Sequence, residues 1–184
     1  MKIISGDYKY RNIEVPKEIR PTTEKVREAI FSMINDWIPN AVVFDIFAGS
    51  GVMGLEALSR GAAKCYFNES DRKNFKVLKS NIAHCKADKK SVIFNYDYLR
   101  AISKIEEKID IFIIDPPYHK FDYYEKCFLH IQEKRILDEG AIVVAEHIFR
   151  DKLYNEYDAL KKIKEKKYGS IGVDIFLADD ILIK

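Results

Sequence analysis

Apolar runs that alternate with amphipathic ones predict an α/β protein with a mostly parallel sheet and an antiparallel edge. Three observations carry that expectation. Short apolar runs recur at 41–46, 63–68, 91–95, 109–114 and 141–146, each the length of a strand buried on both faces. Segments with helical spacing separate them at 52–60, 71–85, 98–106, 121–134 and 150–160, the alternation that builds parallel sheets covered by helices. Two further β-rich runs, 163–168 and 173–177, are joined through Gly169-Ser170-Ile171-Gly172 and add a hairpin at one edge.

The bulk numbers limit the class. At 184 residues the chain is expected to fold as one domain with an ordinary core. A hydrophobic share of 47% and a charged share of 33% fit a water-soluble protein, and no apolar run approaches the ~20 residues of a membrane span. Met1-Lys2-Ile3-Ile4 leads straight into Ser5-Gly6-Asp7, so no secretory leader is expected and the cytoplasm is the expected compartment. Cys65, Cys85 and Cys127 lack metal-ligand spacing and read as free thiols; the four histidines are also scattered, so no metal is expected. A net charge of +2 permits nucleic-acid binding without demanding it. Two basic runs, Arg72 to Lys90 and Lys161 to Lys167, read equally well as solvated faces.

Taken in order, Lys2 to Val15 alternates loosely around Ser5-Gly6-Asp7 and predicts a small β-hairpin ending at Pro16. Residues 1–16 thus form an extension to a core spanning 17–184. Its Tyr8, Lys9, Tyr10 and Arg11 interleave aromatic and basic groups, which suits RNA contacts or a plain edge appendage. Thr22 or Thr23 can cap a helix that Glu24 favours at its positive end. Val26, Ala29, Ile30, Met33, Ile34 and Trp37 mark its apolar face, and it stops before Pro39.

The run Val42-Val43-Phe44-Asp45 then breaks into Phe47-Ala48-Gly49-Ser50-Gly51 and resumes as a helix at Val52. Strand, glycine turn and helix open a nucleotide-binding unit, because glycines let the backbone approach a ligand at the helix N-terminus. Gly49 to Gly54 satisfies G-x-G-x-x-G, a weak signal alone. Asp45 sharpens it. An acid ending an apolar strand is poor company for a pyrophosphate and a good partner for an ammonium or sulfonium group, which points to S-adenosylmethionine; capping the following turn is the plainer reading. Glu69, with Ser70 beside it, lies about twenty residues beyond the turn, where an acid accepts bonds from a ribose diol. Asp71 is the expected cap of the next helix. Asp97 and Tyr98 can take the amine and face of an adenine, or Asp97 can cap the helix after it.

Ile111 to Ile114 delivers Asp115-Pro116-Pro117-Tyr118 to the crevice where open α/β sheets bind ligands. The exocyclic amine of a base is a weak nucleophile because its lone pair is delocalised. Asp115 and the Pro116 carbonyl can accept its two N–H bonds, and Asp115 can take the proton. The prolines remove backbone donors where acceptors are needed, and Tyr118 can stack on an extruded base.

With these motifs, Arg20-Pro21-Thr22-Thr23, Val26-Arg27-Glu28-Ala29-Ile30-Phe31, Phe44 to Gly51, Gly54 to Ala62, Glu146-His147 and Lys167-Tyr168-Gly169, the chain resembles the RsmD family of class I methyltransferases nearly from end to end. The resemblance implies a Rossmann-like fold, S-adenosylmethionine as donor, and methylation of N2 of one guanine in bacterial small-subunit (16S) ribosomal RNA. It implies an assembled or assembling subunit as substrate; a monomer is expected. It places Asp45, Phe47, Ala48, Gly49, Ser50, Gly51, Glu69, Ser70, Asp97 and Tyr98 at the cofactor and Asp115 to Tyr118 at the guanine. Lys9, Arg11, Arg20, Thr22 and Arg27 would approach RNA, or the hairpin and the Arg20–Thr22 entry would close the cofactor site. Two departures stand out. Tyr10-Arg11-Asn12 occupies a region where the family has a glycine, and Asn68 precedes the acid where an apolar residue is usual. Adenine-N6 methylation shares the Asp-Pro-Pro-Tyr chemistry, and a non-catalytic RNA-binding factor would keep the same scaffold. A nicotinamide oxidoreductase would use the glycines but not the two acids.

Overall fold

The computed structural model describes residues 1–17, 19 and 22–179. Helix α1 (Glu24–Met33) precedes strand β1 (Val42–Asp45), followed by α2 (Val52–Ser59), β2 (Lys64–Asn68), α3 (Arg72–His84), β3 (Ser91–Phe94), α4 (Tyr98–Ser103), β4 (Ile109–Ile114), α5 (Asp122–Glu133) and β5 (Leu137–Ile148). Three strands close the described chain: β6 (Glu156–Tyr157), β7 (Leu160–Tyr168) and β8 (Ile171–Ala178). They form one eight-stranded sheet in the order β3-β2-β1-β4-β5-β8-β7-β6. The first five strands in that order are parallel. β8, β7 and β6 extend the sheet by antiparallel pairing, as the α/β pattern with an antiparallel edge predicts.

The strand order reverses at β1, whose chain neighbours lead outward to β3 while β4 and β5 lie on its other side. A crevice opens where such a reversal splits the strand ends. Asp45 ends β1 and pairs in register with Ile113, two residues before Asp115. The two acids therefore flank the reversal. One core, including Val43, Ile111, Ile113, Val144 and Val173, packs on α1, α2 and α3. The other, including Phe44, Phe112, Ile114, Val143 and Phe176, packs on α4 and α5. Alternate residues of each strand go to opposite faces, so both faces must be apolar.

Two expectations are corrected. Residues 150–160 are not helical; they form a turn, β6 and the start of β7. Leu153, Tyr157 and Leu160 have helix-like spacing, yet Asp158 takes φ +49° and Tyr157 pairs with Leu160 across a tight antiparallel turn. The helix expected to reach Trp37 ends at Met33 and continues only as a single 3₁₀ turn, Asn35–Trp37. The expected amino-terminal hairpin is present as a short arm, with a Lys2–Asn12 bridge and backbone bonds from Ile3 N–H to Arg11, Tyr10 N–H to Ile3 and Ile13 N–H to Met1. It is held mainly by its docking on the core, described next.

Glu56, fully buried on α2, accepts the backbone N–H groups of Ile4 (2.9 Å) and Ser5 (3.1 Å). Ser59 Oγ accepts the N–H of Tyr8 at 2.8 Å. Gly6 takes φ +82°, and a Cβ there would lie 1.8 Å from the Ser59 carbonyl oxygen, so only glycine lets the arm sit this close. On α3, Asn81 exchanges bonds with the backbone of Glu14 (3.0 and 2.8 Å) and donates to the Ser50 carbonyl at 2.8 Å. The arm and the glycine turn therefore share one buried amide.

Candidate active site

The cleft at the strand reversal has a volume of about 780 Å³. Its walls include Asp45, Phe47, Ala48, Gly49, Ser50, Glu69, Ser70, Asp97, Tyr98, Asp115, Pro116, Pro117 and Tyr118. All four residues expected to meet the base, and all those expected to meet the cofactor except Gly51, thus line one space. Gly51 stands behind the wall at φ +82°, as the residue that turns the chain into α2. Its N–H closes the turn on the Ala48 carbonyl at 2.7 Å.

The first wall is tied together by side chains. Asp45 Oδ2 accepts the Gly54 N–H at 3.2 Å, a bond that depends on α2 lying close to the sheet. A Cβ on Gly54 would come within 2.3 Å of the Phe67 ring. Glu69 accepts from Gly49 N–H (3.0 Å) and Asp71 N–H (2.8 Å). Asn68, 1% exposed, donates to the carbonyls of Ile46 and Tyr96 and accepts the Tyr96 N–H at 3.1–3.2 Å. Asn95 donates to the Glu69 and Ser70 carbonyls. Asp97 caps α4 by accepting the Leu99 N–H at 3.0 Å while also facing the cleft, so its two readings coexist. Asp71 caps α3, as expected.

An aromatic panel covers this wall. Tyr98 stacks on Tyr123 with centroids 4.3 Å apart, and Phe47 lies 5.4 Å from Tyr98 and 6.0 Å from Tyr123. Tyr123 and Asn68 are cleft residues that the sequence reading missed. The density of aromatics at Phe121, Tyr123 and Tyr124, just after the Asp-Pro-Pro-Tyr loop, was the available signal for the first. Asn68 gave none, because a polar residue there looked only like a departure.

Acids dominate the floor of the cleft. Burial pushes the Asp45 carboxyl up to about 7, against the Gly54 bond and with added repulsion from Glu69. Burial also raises Glu69. Asp115 is held well above the usual carboxylate range by burial, then by Glu146 and Asp45. Glu146, 5% exposed, accepts the Thr22 hydroxyl at 2.7 Å. Among the described residues no ion pair involves Asp45, Glu69 or Asp115. Lys120 also lines the cleft, yet among the described residues it forms no ion pair with these acids, an arrangement that fits a ligand bringing positive charge, as an aminoacyl sulfonium does.

The residues expected at RNA scatter. Thr22 lines the cleft. Lys9 is exposed and lines a separate cavity of about 540 Å³ with Ser5, Glu28, Ser32, Asn35 and Arg60. Arg11 donates to the Cys85 carbonyl at the end of α3 and lies over the Tyr8 ring at 5.2 Å. Arg20 lies outside the described residues. Arg27 is a correction: it is fully buried, 3.6 Å from Glu56, and donates to the Lys2 carbonyl. Its charge balances an internal acid and cannot reach a substrate in this conformation.

The strand order, the glycine turn after β1 and the Asp-Pro-Pro-Tyr loop after β4 define a class I methyltransferase. The family described as "Conserved hypothetical protein 95" matches residues 1–177, and the chain belongs to it, the RsmD family. It is 35% identical over 181 residues to YlbH of Bacillus subtilis, covering 96% of this chain and 98% of that protein. It is 34% identical over 150 residues to ribosomal RNA small subunit methyltransferase D of Escherichia coli, covering 80% and 75%. The solved structure of yhhF from Escherichia coli superposes with a TM-score of 0.87 at 27% identity, covering 97% of this chain and 98% of that one.

Proposed function

We propose that this protein transfers a methyl group from S-adenosylmethionine to the exocyclic N2 amine of a guanine in small-subunit ribosomal RNA, within the assembled or assembling subunit. The observation that carries the reading is the placement of Asp45 and Asp115-Pro116-Pro117-Tyr118 on adjacent strand ends facing one cleft. The printed name of the Escherichia coli relative, a ribosomal RNA small subunit methyltransferase, supports RNA as the substrate. The cofactor supplies an electrophilic methyl on a cationic sulfur.

The chain's residues do the rest. Asp45 and the Phe47–Ser50 turn hold the aminoacyl end, with Gly51 setting the turn. Glu69 and Ser70 face the ribose, and Asp97 with Tyr98 the adenine. Burial, then the charges of Glu146 and Asp45, push the Asp115 carboxyl upward, and positive charge in the cleft opposes that push and favours its ionised, accepting form. Asp115 and the Pro116 carbonyl then hold the two amine N–H groups, and Asp115 receives the proton as the nitrogen becomes tetrahedral. Pro117 stiffens the loop, and Tyr118 stacks on the extruded base. Lys9, Arg11, Thr22 and Arg20 contribute to RNA contact. The protein acts as a cytoplasmic monomer with one catalytic domain and needs no metal.

The test is tritiated methyl transfer to small subunits from cells lacking this protein, with free ribosomal RNA and duplex DNA alongside and nucleoside digestion of the product. N2-methylguanosine from subunits is the expected result. N6-methyladenine would move the target, and cofactor binding without label in any substrate would overturn the enzymatic reading.

A further inference from the structure

We propose that the outer part of β7 and the segment after β5 form a docking ridge for the phosphate backbone of the RNA that carries the target base; this rests on the function proposed above. β7 pairs along its whole length with β8. On its other side only Leu160 and Lys161 pair with β6, and Lys162 donates to the Asn155 carbonyl at 2.8 Å. Beyond Lys162, among the described residues, no strand covers the outer side of β7.

That stretch carries Lys164, Lys166 and Lys167, all exposed. No ion pair among the described residues involves any of the three. Glu165, the acid between them, is occupied by Lys152 (2.7 Å) and Lys162 (3.4 Å). Lys152 and Lys167 converge on one ring, with their ammonium groups 3.4 and 4.9 Å from the Phe149 centroid. Arg150 next to it is 84% exposed and pairs with Asp151 at 3.6 Å. With Lys152 answered by Glu165, Lys167 is the cation at this ring that no acid among the described residues pairs, and its charge is open to an arriving polyanion.

Position favours the RNA substrate over any other anion. β5 runs parallel to β4, with Ala145 opposite Ile114, so its end emerges beside the Asp115 loop. Ile148 pairs with Ile171, and Ile171 with Tyr168. Phe149 N–H donates to the Ser170 carbonyl at 2.9 Å. The ridge therefore stands on the same end of the sheet as Asp115, three strand spacings or about 14 Å across. A strand whose base enters the cleft passes over it.

Lysines on an open strand can also serve only to repel other sheet edges, and the experiment separates the two roles. The variant carries K164Q, K166Q and K167Q; none of these residues lines the cleft. Binding of small subunits is measured by filter retention across salt concentrations, with cofactor affinity and melting temperature as controls. The ridge predicts a loss of affinity of at least ~10-fold at low salt and a log–log salt slope shallower by about 2, with cofactor affinity and melting unchanged. Unchanged affinity and slope, with self-association of the variant by light scattering, would leave only edge protection and overturn the proposal. Wild-type protein that fails to bind subunits would overturn the RNA reading itself, a different result from a variant that binds as well as wild type.

Discussion

The wall of the cleft formed by the ends of β1, β2 and β3 is stitched by side chains, whereas the wall formed by the β4 loop is stiffened by its prolines. On the first, Asp45, Asn68, Glu69 and Asn95 each bond backbone groups of neighbouring loops. On the second, Pro116 and Pro117 offer no N–H, Pro117 is exposed, and Asp115 sits half-buried amid like charge. The stitched wall has its geometry before any ligand arrives. Asp115 and Pro116 line the cleft where the proposed amine would enter. The proposed function thus assigns binding and chemistry to different strand ends, and substitutions should separate them.

The largest separation is expected from Asp115→Ala. Turnover should fall at least ~10²-fold while the cofactor dissociation constant, by calorimetry, stays within about twofold. Thermal stability should hold or rise, since the change removes a repelled acid. Equal losses of binding and turnover would break the division between the walls.

Asn68→Ala should do the reverse. It leaves the Ile46 and Tyr96 carbonyls and the Tyr96 N–H without their partner, destabilising the fold by about 2–3 kcal/mol in denaturant melts. Cofactor affinity should drop by about tenfold as the loops lose register, with turnover at saturating cofactor nearly intact. A selective loss of turnover would contradict the assignment.

A third separation is by pH. With the Asp45 carboxyl at about 7 in the folded protein against 3.8 as a free side chain, the folded state binds the extra proton between those values. Asp45's contribution to stability is therefore greatest at low pH and declines as pH rises toward and through 7. A cationic ligand prefers the ionised form, so affinity for S-adenosylmethionine should tighten by about tenfold from pH 6 to 8. Asp45→Asn should bind weakly with no such slope.

The smallest effect lies outside both walls. Tyr10 is 69% exposed at φ +67°, a conformation that costs a side chain about 1–2 kcal/mol. Tyr10→Gly should raise stability by about 0.5–1 kcal/mol after glycine's own entropy cost, leaving cofactor affinity unchanged. Destabilisation would show that the ring packs in solution.

Legibility in the sequence followed the same divide between local and distant causes. The parallel strands were readable because each is a continuous apolar run, and Asp45 and Asp115 because an acid ends such a run. Asn68 was not readable as a stitch, since its partners lie 22 and 28 residues away. Arg27 read as a substrate contact because burial opposite Glu56 is a tertiary fact. The false helix at 150–160 arose where a turn places three apolar residues at helical intervals. Glu146 carried the same signal as Asp45, an acid in an apolar strand, and its bond to Thr22 and its effect on Asp115 show its place beside the cleft.

The docking of the arm has a consequence for how the chain folds. Ile4, Tyr8 and Glu14 find their partners 52, 51 and 67 residues later in the sequence. The arm therefore has nothing to fold against until α2 and α3 are in place. Its closure is a late, non-local event that rewards the chain only after a long loop is ordered. An enzyme proposed to mark ribosomal RNA would thus close its arm only after the core that receives it has formed.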